Sequence, residues 1–435
     1  MPDAALRLTR LLEQLLGTPI PVRIRAWDGS EAGPPAAPTL VVHNRRALRR
    51  LLFKPGELGL ARAWVAGDVT VDGDLYTALD LLSGLIWDRG EDARGLTAAL
   101  RDPEVRAAVR GLVRLAGPPL PPAPPPEEVR RPGHLHTRRS DKRAISHHYD
   151  VGNDFYELVL GPSMVYSCAY WPAPEPAGTL EQAQRDKLEL ICRKLDLKPG
   201  RRLLDVGCGW GSLAIHAARE HGVSVVGVTL SQEQAAYARK RVADEGLTDK
   251  VEIRVQDYRD VADGPYDAVS SIGMAEHVGA ARYLEYARVL HGLLGPGGRL
   301  LNHQIGRRPQ RDETSYQVDE FIDAYVFPDG ELAPIGTTVT QLERAGFEVR
   351  DVESLREHYA LTLRRWVANL EAGWDRAVRL TSPGRARVWQ LYMAASALAF
   401  EHNRIGVNQV LAVKTPVSGD SGMPLRTRTW GAPAT

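Results

Sequence analysis

Arg201-Arg202-Leu203-Leu204-Asp205-Val206-Gly207-Cys208-Gly209-Trp210-Gly211 is the stretch that decides the fold. Leu203, Leu204 and Val206 form a short apolar run that predicts a buried strand, and Asp205 to Gly211 turn out of it into a helical pattern starting at Leu213. A ligand can sit on such a turn. Gly207, Gly209 and Gly211 remove the side chains that would keep it off the backbone, and a strand-turn-helix also aims amide N–H groups at it. The spacing Gly-x-Gly-x-Gly is one residue short of the dinucleotide spacing Gly-x-Gly-x-x-Gly, which argues against NAD.

Further strand signals follow. Val223 to Val228 is a second strand, ending in Thr229-Leu230-Ser231, and the helix after it carries Gln234. Val251 to Val255 is a third, followed by Gln256-Asp257-Tyr258-Arg259-Asp260; Tyr266 to Ile272 is a fourth, and Gly297 to Asn302 a fifth. Strands alternating with helices imply an α/β fold, a doubly wound and mostly parallel sheet with its ligand at the carboxyl ends of the strands. This order of signals resembles the S-adenosylmethionine (SAM) dependent methyltransferases, which implies a seven-stranded sheet and SAM as cofactor.

A length of 435 residues with 43% hydrophobic and 25% charged residues predicts at least two domains with ordinary cores. The net charge of +1 supplies no global field for nucleic acid, so any attraction to anionic surfaces has to be local. Cys168, Cys192 and Cys208 show no paired or metal-finger spacing, which fits a reducing cytoplasm and leads us to expect no metal. The amphipathic start with Arg7, Arg10 and Glu13 is unlike a signal peptide, and no apolar run approaches the length of a membrane span.

Residues 1–116 read as a smaller α+β domain. Ala5, Leu8, Leu12, Leu15 and Leu16 recur at helical spacing up to Gly17, and Val22, Ile24 and Ala26 alternate as a half-exposed strand that can pair with Thr39 to Val42. Two Gly-Asp turns, at Gly67-Asp68 and Gly73-Asp74, precede an apolar helix, and no catalytic constellation is evident. Seven prolines between Pro118 and Pro126 make residues 117–132 an extended, semi-rigid linker. Residues 133–414 form the catalytic domain, and 415–435, rich in Gly, Ser, Thr, Pro and Arg, read as a flexible tail.

Beyond the linker lies a basic cluster, Arg138, Arg139, Lys142 and Arg143. It is either a solvated face or a contact with an anionic membrane, to which each basic residue could add about 1 kcal/mol. His134, His136, His147 and His148 lack carboxylates or cysteines at ligand spacing, so a metal is disfavoured there too.

The family signal comes next. Ser146-His147-His148-Tyr149-Asp150-Val151-Gly152-Asn153-Asp154-Phe155-Tyr156 and Met164-Val165-Tyr166-Ser167-Cys168-Ala169-Tyr170-Trp171 resemble the cyclopropane fatty acid synthases and the related mycolic acid methyltransferases. Leu204 to Gly211, Gly227 to Ser231, Gln256 to Asp260, Glu276-His277-Val278-Gly279 and Tyr325-Val326-Phe327-Pro328 continue the resemblance in order. It extends to the first domain, whose Ala66-Gly67-Asp68 and Gly73-Asp74-Leu75 look like the accessory domain of the full-length bacterial synthases.

The resemblance implies a reaction and a site. An isolated alkene attacks the sulfonium methyl, a carbocation forms, and loss of a proton closes the ring. An alkene is a weak nucleophile, so the site has to exclude water and align the double bond. In the family the base is bound bicarbonate, and its cradle carries over to Cys168, Glu276, His303, the backbone of Ile305, and Tyr359. A neutral, donating Glu276 suits an anion better than a carboxylate does. By the same resemblance Tyr149, Tyr166 and Ser167 serve the methionine end of SAM. Asp205, Gly207 and Gly209 belong to the cofactor turn, Thr229 and Gln234 serve the ribose and adenine side, and Asp257, Tyr258 and Arg259 the adenine. Phe321, Tyr325 and Phe327, with the helix Trp389 to Phe400, are expected to wall an acyl-chain tunnel. Each of these residues also has a structural reading. Glu276 could be a helix cap, His303 a satisfied core histidine, Tyr359 and Cys168 plain packing, and the aromatic groups core.

The implied substrate is the unsaturated phospholipid acyl chain, at the inner, anionic face of a membrane that a cytoplasmic, peripheral protein would visit; a homodimer is compatible with it. Ser396 stands where many members carry a cysteine, which keeps open a methyltransferase that makes a methylene- or methyl-branched chain. An inactive lipid-binding protein is the reading from another class, and the intact glycine turn and Glu276 oppose it.

Overall fold

In the computed structural model, residues 3–86, 102–118, 120–129, 151–173, 178–313, 316–328 and 330–425 are described. They fall into two units. The smaller takes in the described residues of Met1–Arg130 together with Asp319–Val326 and Ser382–Leu398, so it draws on two later segments as well as the N-terminal chain.

In the smaller unit the helix Ala4–Leu16 buries the stripe that includes Ala5 and Leu8, and Gly17, left-handed at φ 67°, closes it by donating its N–H to the Glu13 carbonyl at 2.7 Å. Four strands follow, β1 Arg23–Arg25, β2 Glu31–Ala32, β3 Thr39–Val42 and β4 Val69–Asp72, in the order β2-β1-β3-β4. Thr39–Val42 pairs with β1 in parallel, as the alternating pattern allows. Asp68, fully buried, accepts from Arg50 Nε at 2.9 Å and Asn44 Nδ2 at 2.8 Å, which explains the Ala66-Gly67-Asp68 motif as architecture. The proline-rich segment carries no helix or strand from 120 to 125, yet it is docked within this unit. The Ala123 carbonyl accepts from Arg50 at 2.8 Å, Glu128 forms a two-pronged pair with Arg62, and the Val129 amide donates to Ala324. The prolines of the run supply no N–H donors, which leaves the Ala123 carbonyl for such a partner. Phe321 and Tyr325 lie in this unit with ring centroids 5.6 Å apart, as does Trp389.

The larger unit holds one seven-stranded sheet. Its strands are β5 Arg202–Val206, β6 Ser224–Thr229, β7 Val251–Val255, β8 Tyr266–Ile272, β9 Leu294–Arg307, β10 Glu348–Ser354 and β11 Ile405–Val413, in the order β10-β11-β9-β8-β5-β6-β7. The pairs β5/β6, β5/β8, β6/β7 and β8/β9 are parallel, and β11 runs antiparallel to both β9 and β10. Alternate residues feed opposite faces. Leu203, Val225 and Ile253 pack with the helices Leu180–Lys194 and Ser212–His221; Leu204, Val226 and Val269 pack with the helix Tyr283–Leu293. Each such fully buried aliphatic side chain contributes about 1.5–3 kcal/mol.

β9 runs well beyond Gly297–Asn302, and β11 pairs along it from Arg299 to Arg307. Its continuation is polar but buried: Asn302, His303 and Gln304 are each no more than 3% exposed, which broke the apolar run on which the shorter strand was predicted. The chain leaves β5 towards β6 on one side and returns to β8 on the other, which opens a crevice at the carboxyl end of β5. Thr415 Oγ1 donates to Glu348, and Met423 packs against the core, so the first part of the tail is docked; 426–435 lie outside the described residues.

Candidate active site

The turn after β5 is held from below. The amides of Gly207 and Cys208 both donate to the Val228 carbonyl, at 2.9 and 3.0 Å, which bends the chain sharply across the end of β6. Gly209 sits at φ 53°, and a β-carbon there would point into open space. A side chain would therefore fill the crevice in which a cofactor has to lie. Cys208 is nearly enclosed and faces Gly227, a compact filler of the turn.

One cavity opens on this turn. Every residue expected to touch the cofactor lines it except Tyr149, which lies outside the described residues together with the basic cluster and the His134 to His148 histidines. Tyr166 and Ser167 form one wall, and the Tyr166 ring rests between Tyr156 and Trp366 at 5.7 and 5.3 Å. Asp205, Gly207 and Gly209 form the floor. Asp205 is buried, accepts from Ser270 Oγ at 2.7 Å, and is pushed up to about 6 by burial. Thr229 donates to Gln234 Oε1 at 3.0 Å, and Ser231 caps the helix that brings Gln234 in. On the far side Asp257 binds Arg259 through two oxygens, at 2.9 and 2.6 Å, and the guanidinium lies 5.5 Å from the Tyr258 ring.

Sequence reading missed Lys187, which also lines the cavity. Lys187 and Lys194 are both inward on the helix Leu180–Lys194 and are 2% and 0% exposed. Their partners differ. Lys194 reaches the carboxylates of Glu353 and Asp351, whereas Lys187 donates to the Ser167 hydroxyl at 2.9 Å and pairs with no carboxylate among the described residues. Burial lowers its pKa to about 8. The available signal was its place in the stripe Leu180, Ala183, Lys187, Leu190, where a charge has no solvent to reach.

The residues expected to hold bicarbonate lie along β9 and the segments beside it. Glu276 follows β8 in the 3-10 turn Ala275–His277, and its Oε1 accepts the Ile305 amide at 2.8 Å. The residue keeps some exposure, but Oε2 is enclosed and has no partner among the described residues. Burial pushes this carboxyl up to about 7, against the opposing Ile305 amide. His303 is 1% exposed, its Nδ1 lies 3.3 Å from Gln409 Nε2, and its Nε2 is enclosed without a partner among the described residues. Burial, with the charges of Lys187 and Lys194, lowers it to about 3, so the ring is neutral. With Gln409 donating to Nδ1, the ring proton falls on Nε2. Cys168 donates weakly to the Leu355 carbonyl at 3.6 Å, the same carbonyl that accepts the Tyr359 amide at 3.1 Å. The Leu355 amide in turn donates to Val407, which stands opposite Ile305 in the sheet. A chain of contacts thus ties the Cys168 and Tyr359 pair to Ile305 and Glu276. Burial raises the Cys168 thiol, which marks it as a donor and no nucleophile. Phe327 meets His277 at 5.8 Å in this unit.

Residues 136–410 match the model of the mycolic acid cyclopropane synthetases. The chain belongs to that family. It is accordingly an enzyme of the SAM-dependent methyltransferase class. The chain is 45% identical to the probable fatty acid methyltransferase Rv3720 of Mycobacterium tuberculosis, over 98% of this chain and 99% of that one. It is 41% identical to the cyclopropane-fatty-acyl-phospholipid synthase of Escherichia coli, over 64% of this chain and 70% of the other. The crystal structure of the mycolic acid cyclopropane synthase CmaA1 with SAH and CTAB superposes with a TM-score of 0.59 at 34% identity, covering 64% of this chain and 99% of its own.

Proposed function

We propose that this enzyme converts the cis double bond of an unsaturated phospholipid acyl chain into a cyclopropane. SAM supplies an electrophilic methyl group, and bicarbonate a base for the proton lost on ring closure. The observation that carries the reading is the pair of enclosed polar atoms that have no partner among the described residues, Glu276 Oε2 and His303 Nε2. Unpaired buried polar groups cost about 1–3 kcal/mol each, and a small anion offers acceptors to both. His303 is neutral with a proton on Nε2, and Glu276 is protonated over much of the range below neutrality, so both donate. Cys168, Tyr359 and the Ile305 amide would complete the cradle. Gly207 and Gly209 would let the cofactor approach the backbone, Tyr166 and Ser167 would orient its methionine end, and Lys187 would face its carboxylate. A buried ammonium beside an open cavity, with no carboxylate in contact and only the charge of the nearby Asp205 to offset it, suits that anion. The basic cluster of the sequence, Arg138, Arg139, Lys142 and Arg143, supports work at an anionic membrane surface.

A branching methyltransferase is favoured by one observation: the probable fatty acid methyltransferase Rv3720 aligns over nearly the whole chain, and the cyclopropane synthase of Escherichia coli over 64%. Such an enzyme would use the same cavity and lose a different proton. Lipid mass spectrometry with methyl-deuterated SAM separates the two. A ring that retains two methyl-derived deuteriums is the expected product; label on an exocyclic methylene or a methyl branch would replace this reading with the second.

A further inference from the structure

Outside the cofactor cavity, four potential metal ligands meet between two neighbouring helices. Glu189 and Cys192 lie on Leu180–Lys194, three residues apart and so on one face; His216 and His221 lie on Ser212–His221. The ligand atoms of Cys192, His216 and His221 all fall within 4.8 Å of one another. Both histidines direct Nε2 at the same oxygen, Glu189 Oε2, at 3.3 and 3.0 Å. Arg193 occupies the other oxygen, Oε1, at 2.7 Å, and so holds the carboxylate with Oε2 facing the histidines. Cys192 is fully buried, and His216 is 8% exposed.

We infer that Glu189, Cys192, His216 and His221 form a structural zinc site. One thiolate, two imidazoles and one carboxylate make a four-ligand set suited to Zn²⁺ and leave no open position for catalysis. Ligands at zinc distances sit roughly 3.3–3.8 Å from one another, so the Cys192, His216 and His221 atoms, within 4.8 Å of one another, need to close by at most about 1 Å, and Glu189 Oε2, already 3.3 and 3.0 Å from the two imidazoles, joins them by a side-chain rotation towards Cys192. Binding releases the Cys192 thiol proton to solvent and replaces it with a Zn–S bond. The ion would clamp the helix that carries Lys187 to the helix that leaves the glycine turn, and so fix two walls of the cofactor cavity. The set holds a single cysteine, and its two pairs, Glu189 with Cys192 and His216 with His221, stand on separate helices, which is why the cysteine pattern alone gave no sign of a metal.

The test uses the full chain, stripped by chelator and titrated with Zn²⁺ or Co²⁺. One zinc per chain is expected to survive gel filtration, to raise the melting temperature, and to be replaceable by cobalt with a thiolate-to-cobalt charge-transfer band. Cys192→Ser should abolish the band while Cys168 and Cys208 remain, and His221→Gln, at the partly exposed helix end, should weaken zinc affinity at least about tenfold without loss of fold. Retention of no zinc by the wild type, or equal zinc binding by wild type and both variants, overturns the site.

Discussion

The Ile305 amide donates to Oε1 of Glu276 at 2.8 Å and leaves Oε2 of the same carboxyl enclosed without a partner among the described residues. A proton on this group therefore belongs on Oε2. Burial raises the folded pKa from 4.5 to about 7, so the donating form dominates below about pH 7 and is lost above it. We expect kcat/KM to fall as pH rises through this value, and Glu276→Gln to lower kcat by about 10²-fold or more while removing that limb of the profile. Stability falls in the same direction with pH, but the substitution moves it the opposite way from activity. Below the unfolded pKa both states are protonated and nothing is lost; above about pH 7 both are ionised and burial costs about 3 kcal/mol. Glu276→Gln should therefore melt higher than wild type at pH 8 and close to it near pH 4.5. A carboxylate infrared band from Glu276 at pH 6 would contradict the assignment.

Lys187 is predicted to exchange stability for affinity. Its folded pKa of about 8 lies below the 10.5 of the free group, so the cost of burying its charge is fully present below pH 8 and disappears as pH rises towards 10.5. Lys187→Met should raise the cofactor-free melting temperature at pH 7 and weaken SAM binding by at least about tenfold, read by calorimetry. Unchanged affinity would show that the ammonium does not face the cofactor.

Gly209→Ala separates backbone strain from occupancy of the crevice. Gly209 and Gly246 both take a left-handed φ, 53° and 67°, and at both a β-carbon would meet nothing within 4 Å. Alanine at either position costs about 1–2 kcal/mol of strain. Only Gly209 lines the cavity. Equal losses of stability with a loss of SAM affinity confined to Gly209→Ala are expected; equal SAM affinity in the two variants would show that the turn does not carry the cofactor.

The sequence makes the larger unit legible where local chemistry and fold agree. Leu203 to Val206 and Tyr266 to Ile272 are apolar runs bounded by turns, and they are the strands β5 and β8 that flank the crevice. The glycine turn is legible for the same reason, since three left-handed residues in five admit little else. What was hidden is polar and buried. His303 and Gln304 interrupt the apolar pattern of β9, because their burial is offset by contacts with Gln409, Tyr283 and Thr338 that no local window contains. Lys187 was hidden likewise, inside a helix that carries solvent-accessible charges such as Glu181 and Arg185 beside the two buried lysines. The proline run read as a spacer because its partners, Arg50, Arg62 and Ala324, lie far away in sequence.

Asp68 tests whether the Gly-Asp motif of the smaller unit is architectural. Its carboxylate is fully buried against Arg50, whose side chain is 9% exposed and otherwise reaches the Ala123 carbonyl. Removing one partner of such a pair leaves an uncompensated charge at a cost of about 3–5 kcal/mol, whereas replacing both is often close to neutral. Asp68→Asn should therefore lower the melting temperature markedly, and Asp68→Asn with Arg50→Met should recover much of the loss, the non-additivity expected of residues in contact. The SAM-induced rise in melting temperature should persist in both variants, because every residue lining the cofactor cavity belongs to the larger unit. A variant that keeps full stability but loses activity would instead assign Asp68 to the reaction, since an ion pair that only braces the fold cannot be removed without a thermal signature.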